Sequence, residues 1–302
     1  MDVGTNTIRC LIASFSQNCL HPVQINRGIV RLGGGLGQNG NLSEKGQIAA
    51  LELFKDFSEI ISESGALRVW AVATSALRDA AETGKFLDAA HDSLGFPLNV
   101  ISGEEEARLT AEGVCGGVGA ITDGIVLDIG GGSTEIVRMV DGNVTWWKSL
   151  PLGVVYLTEK YVCSDPPIPT EISSVRTHIR DAIDLLGPCS GIIAGTAGTP
   201  TTLAAIDLSV DEYDSTLING HVLSSQTIRE IRDVMLSMTS AQRLDLPGME
   251  KGREDLIVTG TIMLEEFLDH CGFSELLVSD WGLLEGIAIA TARDGRGYDL
   301  KQ

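Results

Sequence analysis

No stretch of the chain holds eighteen or more consecutive apolar residues, so no helix long enough to span a bilayer is expected and no membrane partner with it. The start lacks the basic segment and apolar core of a signal peptide, and strand-like residues begin at once with Met1-Asp2-Val3, which points to the cytoplasm. C-x-x-C pairs and clustered histidines are missing too. That removes a zinc site and a disulfide framework, and Cys10, Cys19, Cys115, Cys163, Cys189 and Cys271 read as reduced, mostly buried thiols. Positive charge is scarce: 22 Lys and Arg against 41 Asp and Glu leave a net charge of −19, which disfavours non-specific nucleic-acid binding, so no nucleic-acid partner is expected. The same deficit sets a condition on any polyanionic substrate. Local cations, backbone amides and metal would have to receive it against the field of the whole molecule.

With 302 residues, 43% of them hydrophobic, the chain is long enough for two domains, each with its own core. The stretch Ile125 to Glu135 runs an apolar strand into a glycine turn bracketed by two carboxylates, Asp128 and Glu135. Buried carboxylates must pair, be hydrogen-bonded or hold a metal. Gly130, Gly131 and Gly132 leave backbone amides unshielded and, with the Ser133 hydroxyl, form a concavity suited to phosphate oxygens; an acid beside such a cradle suggests a bridging Mg²⁺. A related pattern opens the chain: Asp2-Val3-Gly4-Thr5-Asn6-Thr7, then an apolar strand from Ile8 to Ala13, and the two copies start 126 residues apart. An acid, glycine and hydroxyl turn between two strands, present twice, is a duplication at domain scale.

Between the copies, Gly33 to Gly37 reads as a flexible loop. G-x-G-x-x-G is not satisfied there in a strand-to-helix context, so a dinucleotide site is not expected. Ser43 begins a helix whose apolar residues Ile48, Leu51, Phe54, Phe57 and Ile61 recur at helical steps. A strand from Leu67 to Ala73 is followed by a helix through His91, and Arg78 near the strand's carboxyl end is either a phosphate ligand or a surface arginine. His91-Asp92 reads as a surface pair. After a strand from Pro97 to Ile101, Glu104, Glu105 and Glu106 open a helix to Val114, where acids complement the helix dipole. The glycine-rich region Cys115 to Asp123 holds the boundary, giving domains 1–117 and 118–302. Beyond a second hairpin, helices are expected over Gly153 to Tyr161, Pro169 to Leu186, Ser225 to Met238, Arg253 to Cys271 and Leu283 to Arg293, with a frayed tail. A buried strand, Gly191 to Ala194, delivers Gly195-Thr196-Ala197-Gly198-Thr199 into a helix from Thr201 to Ile206, which is an anion-binding arrangement or a plain tight turn. Leu276 to Val278 is the last strand.

Taken together, Asp2 to Thr7, Thr74 to Ala80, Ile101 to Arg108, Asp128 to Glu135, Leu152-Gly153, Gly195 to Thr199, and Arg253 with Gly260 resemble the exopolyphosphatase / guanosine pentaphosphate phosphohydrolase (Ppx/GppA) family of the actin–sugar kinase–Hsp70 superfamily. The resemblance implies an α/β fold of two RNase H-like (actin-like ATPase) domains facing across a cleft. It implies hydrolysis of a terminal phosphoryl group from polyphosphate or guanosine penta- or tetraphosphate, with Glu106 as general base. Asn6, Thr7, Gly130, Gly131, Gly132, Ser133, Gly195, Thr196, Gly198 and Thr199 would hold phosphates, and Arg78 would neutralise them. Asp128 and Glu135 would bind Mg²⁺ or another hard divalent cation, with Asp2 orienting metal-bound water. Three departures stand out. The chain begins one residue ahead of the first motif aspartate, where the family has a full apolar strand; Glu82 replaces an Asn, and Leu284 stands where a basic residue often precedes Glu-Gly. The resemblance also implies that longer relatives carry a further C-terminal helical region, and the sequence here stops after the second expected domain. A kinase or ATPase of the same superfamily and a non-catalytic phosphate or nucleotide sensor are the alternatives; the form of assembly stays open, with a homodimer as one form.

Overall fold

A computed structural model describes residues 1–184, 186–187 and 189–300. It divides into two compact α/β units, Met1–Gly116 joined by the segment from Leu283 onward, and Gly117–Gly282. The closing segment therefore packs with the first unit, whereas chain order had grouped it with the second. Sequence order carries no information about which core a terminal helix joins.

In the first unit the chain runs β1 (Asp2–Val3), β2 (Thr7–Ser16), β3 (Cys19–Ile29), α1 (Leu36–Asn39), α2 (Glu44–Glu63), β4 (Arg68–Val69), β5 (Ala71–Ala73), α3 (Ser75–Asp79), α4 (Gly84–Leu94), β6 (Leu98–Val100) and α5 (Gly103–Val118). Five strands form a sheet in the order β3-β2-β1-β5-β6, with β1, β5 and β6 parallel and the β2–β3 ribbon antiparallel. Ser43 caps α2 by accepting from the Gly46 amide at 3.2 Å, as its residue type predicts. Phe54, Phe57 and Ile61 are buried on one sheet face with Phe86 and Leu94 of α4, while Ile48 points to solvent because Gly46 and Ala50 take the core side. The helix expected through His91 is two pieces, α3 and α4, interrupted before Thr83-Gly84, and α1 lies in the expected glycine loop.

The second unit follows with β7 (Gly124–Ile129), β8 (Thr134–Val140), β9 (Asn143–Leu150), α6 (Val154–Tyr161), α7 (Pro169–Ile183), β10 (Ile192–Thr196), α8 (Gly198–Asp207), α9 (Ser215–Ile218), β11 (Val222–Ser224), α10 (Ser225–Leu236), α11 (Ser240–Arg243), α12 (Ile257–Cys271) and β12 (Glu275–Val278). Its six strands lie in the order β11-β12-β10-β7-β8-β9, with β7, β10 and β12 parallel. The chain then returns to the first unit through α13 (Leu283–Asp294) and β13 (Tyr298–Asp299). Rather than fraying, the tail pairs β13 antiparallel to β4. On α13, Leu283, Ile287 and Ala290 cover the second sheet face, against Trp70 and Val72. Gly286 lets the helix approach α5, since a Cβ there would meet the Leu109 carbonyl oxygen.

Every residue of α12 from Ile257 to Leu268 is buried, including two acids. Glu265 takes Arg176 of α7 at 2.8 Å and also pairs with Arg232 of α10. Glu266 pairs with Arg180 at 2.6 Å and with Arg176. Burial pushes the Glu265 carboxyl upward, but the guanidinium groups of Arg232 and Arg176 outweigh it and hold it below the usual carboxylate range. The stability this group contributes is fully present above its unfolded-state value, about 4.3, and is lost as pH falls through the lower folded value. Melting temperature should therefore drop as pH is lowered from about 5 toward 3, and Glu265→Gln should flatten that dependence while lowering stability at neutral pH. An unchanged acid slope in the variant would contradict the assignment.

Candidate active site

Both copies of the duplicated hairpin fold alike. Gly4 donates its amide to the Thr7 carbonyl at 3.1 Å, and Gly130 donates to the Ser133 carbonyl at 3.0 Å. In the ladders, Asp2 lies opposite Arg9 and Asp128 opposite Glu135. All four correspondences carry the same 126-residue offset seen in the sequence. The copies differ in one charge. Arg9 gives Asp2 a cation, with Nη2 at 2.8 Å, whereas the equivalent position opposite Asp128 holds a second carboxylate.

Directly opposed residues of an antiparallel pair project to the same face, where like charges destabilise each other. Asp128 is 8% exposed and Glu135 is 1% exposed, so water can relieve little of that repulsion. Ser149 donates its hydroxyl to Glu135 Oε1 at 2.6 Å, which fixes one oxygen. No group of three or more His, Cys, Asp or Glu that could hold a metal exists among the described residues. Asp128 and Glu135 would be the protein's share of a metal site, and such a donor set would fit Mg²⁺, which takes one or two carboxylates and completes its shell with water and phosphate oxygens.

The loops beside these acids are built from backbone. Gly130 and Gly131 accept from the amides of Val154 and Val155 at 3.1 and 2.9 Å, tying the turn to the start of α6. Gly153 permits this approach, because a Cβ there would collide with Gly131 and Gly132. Ser133 is buried, and the three glycines are half-exposed. In the first unit Asn6 is buried; its carbonyl accepts from Val30 and Arg31 at 2.9 Å each, and Thr7 opens β2. Asn6 Oδ1 lies buried with no hydrogen-bond partner among the described residues. A buried polar atom left open in this way fits a ligand, and the same amide turned over would present N–H groups to a phosphate.

Glu106 sits in the first turn of α5, 6% exposed. Arg78 of α3 reaches it at 2.6 Å and also donates to the Ile101 carbonyl at 3.2 Å. The two residues are 28 positions apart in the chain, and the fold joins them because β5 and β6 are parallel neighbours whose carboxyl ends feed α3 and α5. Arg78 is thus partner to the carboxylate expected to act as base, through a charge-assisted hydrogen bond to one of its oxygens. Of its two neighbours, Glu105 pairs with Arg296, and Glu104 lies exposed.

The third loop follows β10. Thr196 is the parallel-ladder partner of Asp128, so the two stand level at the carboxyl ends of adjacent strands. Thr196 donates its hydroxyl to the Trp281 carbonyl at 3.0 Å, and Gly195 accepts from the Ser279 amide at 2.8 Å. Ala197, at φ 69° and ψ −168°, adopts a backbone that L residues rarely take, and it turns the chain into α8 at Gly198 and Thr199. Arg253 lies directly over Gly198, in the space a Cβ would fill, and is held by Glu250 at 2.5 Å. Gly260 of α12 opens room for the Thr199 hydroxyl. The sequence reading singled out Arg253 and Gly260 as matching positions and gave them no task. Here one brings a cation to the loop and the other seats it. Leu284 is buried in α13, and Glu82 is exposed.

The sequence pattern of the Ppx/GppA phosphatase family matches residues 11–293. Exopolyphosphatase 2 of Mycobacterium tuberculosis is 34% identical over 314 residues, covering 97% of both chains. Among solved structures, the Aquifex aeolicus Ppx/GppA family member is 30% identical with a TM-score of 0.83, covering 98% of this chain and 97% of that one. An exopolyphosphatase from Cytophaga hutchinsonii is 25% identical with a TM-score of 0.87, covering 97% and 96%.

The close seat of Thr199 on Gly260 can be tested directly. Gly260→Val should drive methyl groups into the Thr199 side chain, costing about 1–3 kcal/mol in chemical denaturation and weakening phosphate binding by calorimetry. Unchanged stability and binding would show that the approach is slack.

Proposed function

The chain belongs to the Ppx/GppA phosphatase family, and from that membership we infer that it hydrolyses the terminal phosphoanhydride of inorganic polyphosphate, with guanosine pentaphosphate as a second substrate. The observation that carries the reading is the buried Glu106 carboxylate held by Arg78 at 2.6 Å. In this mechanism Glu106 accepts a proton from water as the water oxygen bonds to the terminal phosphorus and the bridging P–O bond breaks. The shortened chain leaves with the bridging oxygen. Proton transfer of this kind contributes roughly 10²–10⁴-fold, and positioning with charge neutralisation supplies the rest.

Asn6 and Thr7 of the first hairpin, and Gly130, Gly131, Gly132 and Ser133 of the second, receive phosphate oxygens through amides and hydroxyls. Gly195, Thr196, Gly198 and Thr199 do the same at the start of α8, where Arg253 adds a cation. Asp128 and Glu135 are the residues to hold Mg²⁺, which when bound offsets phosphate charge. Asp2, paired with Arg9, keeps the first hairpin's carboxylate oriented for the attacking water. These local cations and dipoles answer the problem set by a net charge of −19.

The test is phosphate release from polyphosphate by Glu106→Gln. Turnover should fall by roughly 10²–10⁴-fold while the variant keeps its melting temperature within a few degrees and still binds polyphosphate. Rates like those of the unaltered chain would rule out Glu106 as the base.

A further inference from the structure

Two cysteines that stand 82 positions apart in the chain meet in the second unit, where Cys189 Sγ lies 2.9 Å from Cys271 Sγ. Cys189 falls between α7 and β10, and Cys271 is the last residue of α12. The backbone on each side explains the meeting. Gly191, at φ 83°, lets the chain approach Asp123 so closely that a Cβ would strike its carbonyl, and the Ile192 amide donates to that carbonyl at 3.2 Å, which fixes where β10 begins. On the other side α12 ends at a left-handed Gly272, and the Phe273 amide donates to the Leu268 carbonyl at 2.9 Å, which fixes the turn that carries Cys271.

Both thiols are half-buried against the core of this unit, but their surroundings differ. Cys189 is the one cysteine among the described residues that line a cavity of about 300 Å³, with Arg138, Trp146 and Leu186. The Cys271 thiol is pushed up to about 12 by burial and by the neighbouring sulfur, against the pull of Arg138 toward the thiolate. Cys271 therefore keeps its proton at neutral pH, and Cys189 is the sulfur that a reagent entering the cavity meets first. The pair is one covalent bond short of a disulfide, since bonding brings the sulfurs less than about 1 Å closer, to roughly 2.0 Å.

We propose that Cys189 and Cys271 form a redox-modification site, at which a small-molecule disulfide of the glutathione type closes an intramolecular bond across the second unit. The Cys189 thiolate attacks one sulfur of the reagent and expels the other as a thiolate, which takes up a proton. Cys271 then loses its proton to solvent, attacks the Cys189 sulfur of the mixed disulfide and expels the second small thiol. Two protein thiols are oxidised, and one small disulfide is reduced to two thiols. The loop so closed contains β10, the Gly195 to Thr199 turn, Arg253 and α12. A cross-link over so long a loop restricts the unfolded chain strongly and stabilises the folded unit. The proposal is independent of the catalytic reading, because neither sulfur touches the residues assigned to phosphate or to Glu106.

In the experiment the full chain is incubated with oxidised glutathione, free thiols are blocked with iodoacetamide, and peptides are mapped without reduction. Peptides joined through Cys189 and Cys271 are expected, whereas the exposed Cys19 and Cys163 carry glutathione. The oxidised chain should melt roughly 5–10 °C above the reduced chain, and dithiothreitol should reverse the gain. Cys271→Ser should stop at glutathione on Cys189, and both Cys271→Ser and Cys189→Ser should lose the gain. The peptide map of the unaltered chain decides the linkage even if a variant folds poorly. Cys189 and Cys271 that both stay open to iodoacetamide, a mixed disulfide on Cys189 that never resolves, or a linked chain that melts no higher than the reduced one would each overturn the proposal.

Discussion

Two carboxylates facing each other on one side of an antiparallel ladder repel unless a cation lies with them, and the second hairpin of this chain is arranged around that fact. Asp128 and Glu135 are both buried, so neither can relax fully into water. In the first hairpin the same ladder position carries Arg9, and Asp2 is neutralised from within the protein. A single change of charge sign thus separates two hairpins that share their turn hydrogen bond, their ladder register and their spacing. The first carries its cation within the protein, and we propose that a divalent cation and the phosphates that accompany it serve the second. In a chain with an excess of acids, this is how a strongly anionic substrate can be attracted locally.

Around these hairpins the fold works mainly by close approach of backbone. Gly153, Gly260 and Gly286 each stand where a Cβ would strike a neighbour, and each seats an element of the candidate site: the glycine turn, the Thr199 loop and the helix that carries Glu106. The ion pairs made by the two buried acids of α12 serve a different end. They fix α7 and α10 against a helix that is otherwise enclosed in apolar packing, and each buried acid has more than one arginine partner to offset its charge.

Much of this was legible in the sequence, for identifiable reasons. The duplication could be read because an acid, a glycine and a hydroxyl recur in fixed order, and α2 because a capping Ser43 precedes phenylalanines at helical spacing. Strand β3 left no comparable signal: His21, Pro22, Gln24, Asn26 and Arg27 sit on an exposed edge, where no core enforces alternation. β13 is two residues long and exists only through its pairing with β4. The Arg78–Glu106 pair was equally hidden, because both residues were singled out but their contact depends on two parallel strands lying side by side. Membership of α13 in the first core could not be read either, since a helix pattern states that a face is apolar and not which surface it will cover.

The central claim is that the second hairpin needs a cation where the first carries its own. Its most direct test is phosphate release from inorganic polyphosphate as Mg²⁺ is titrated, for the unaltered chain and for Glu135→Arg, which copies the charge pattern of the first hairpin into the second. The account predicts that the unaltered chain rises from baseline with added Mg²⁺ and that the variant, folded and of similar melting temperature, stays at baseline throughout. Full activity of the unaltered chain in a chelator, or a normal Mg²⁺ response in the variant, would contradict it.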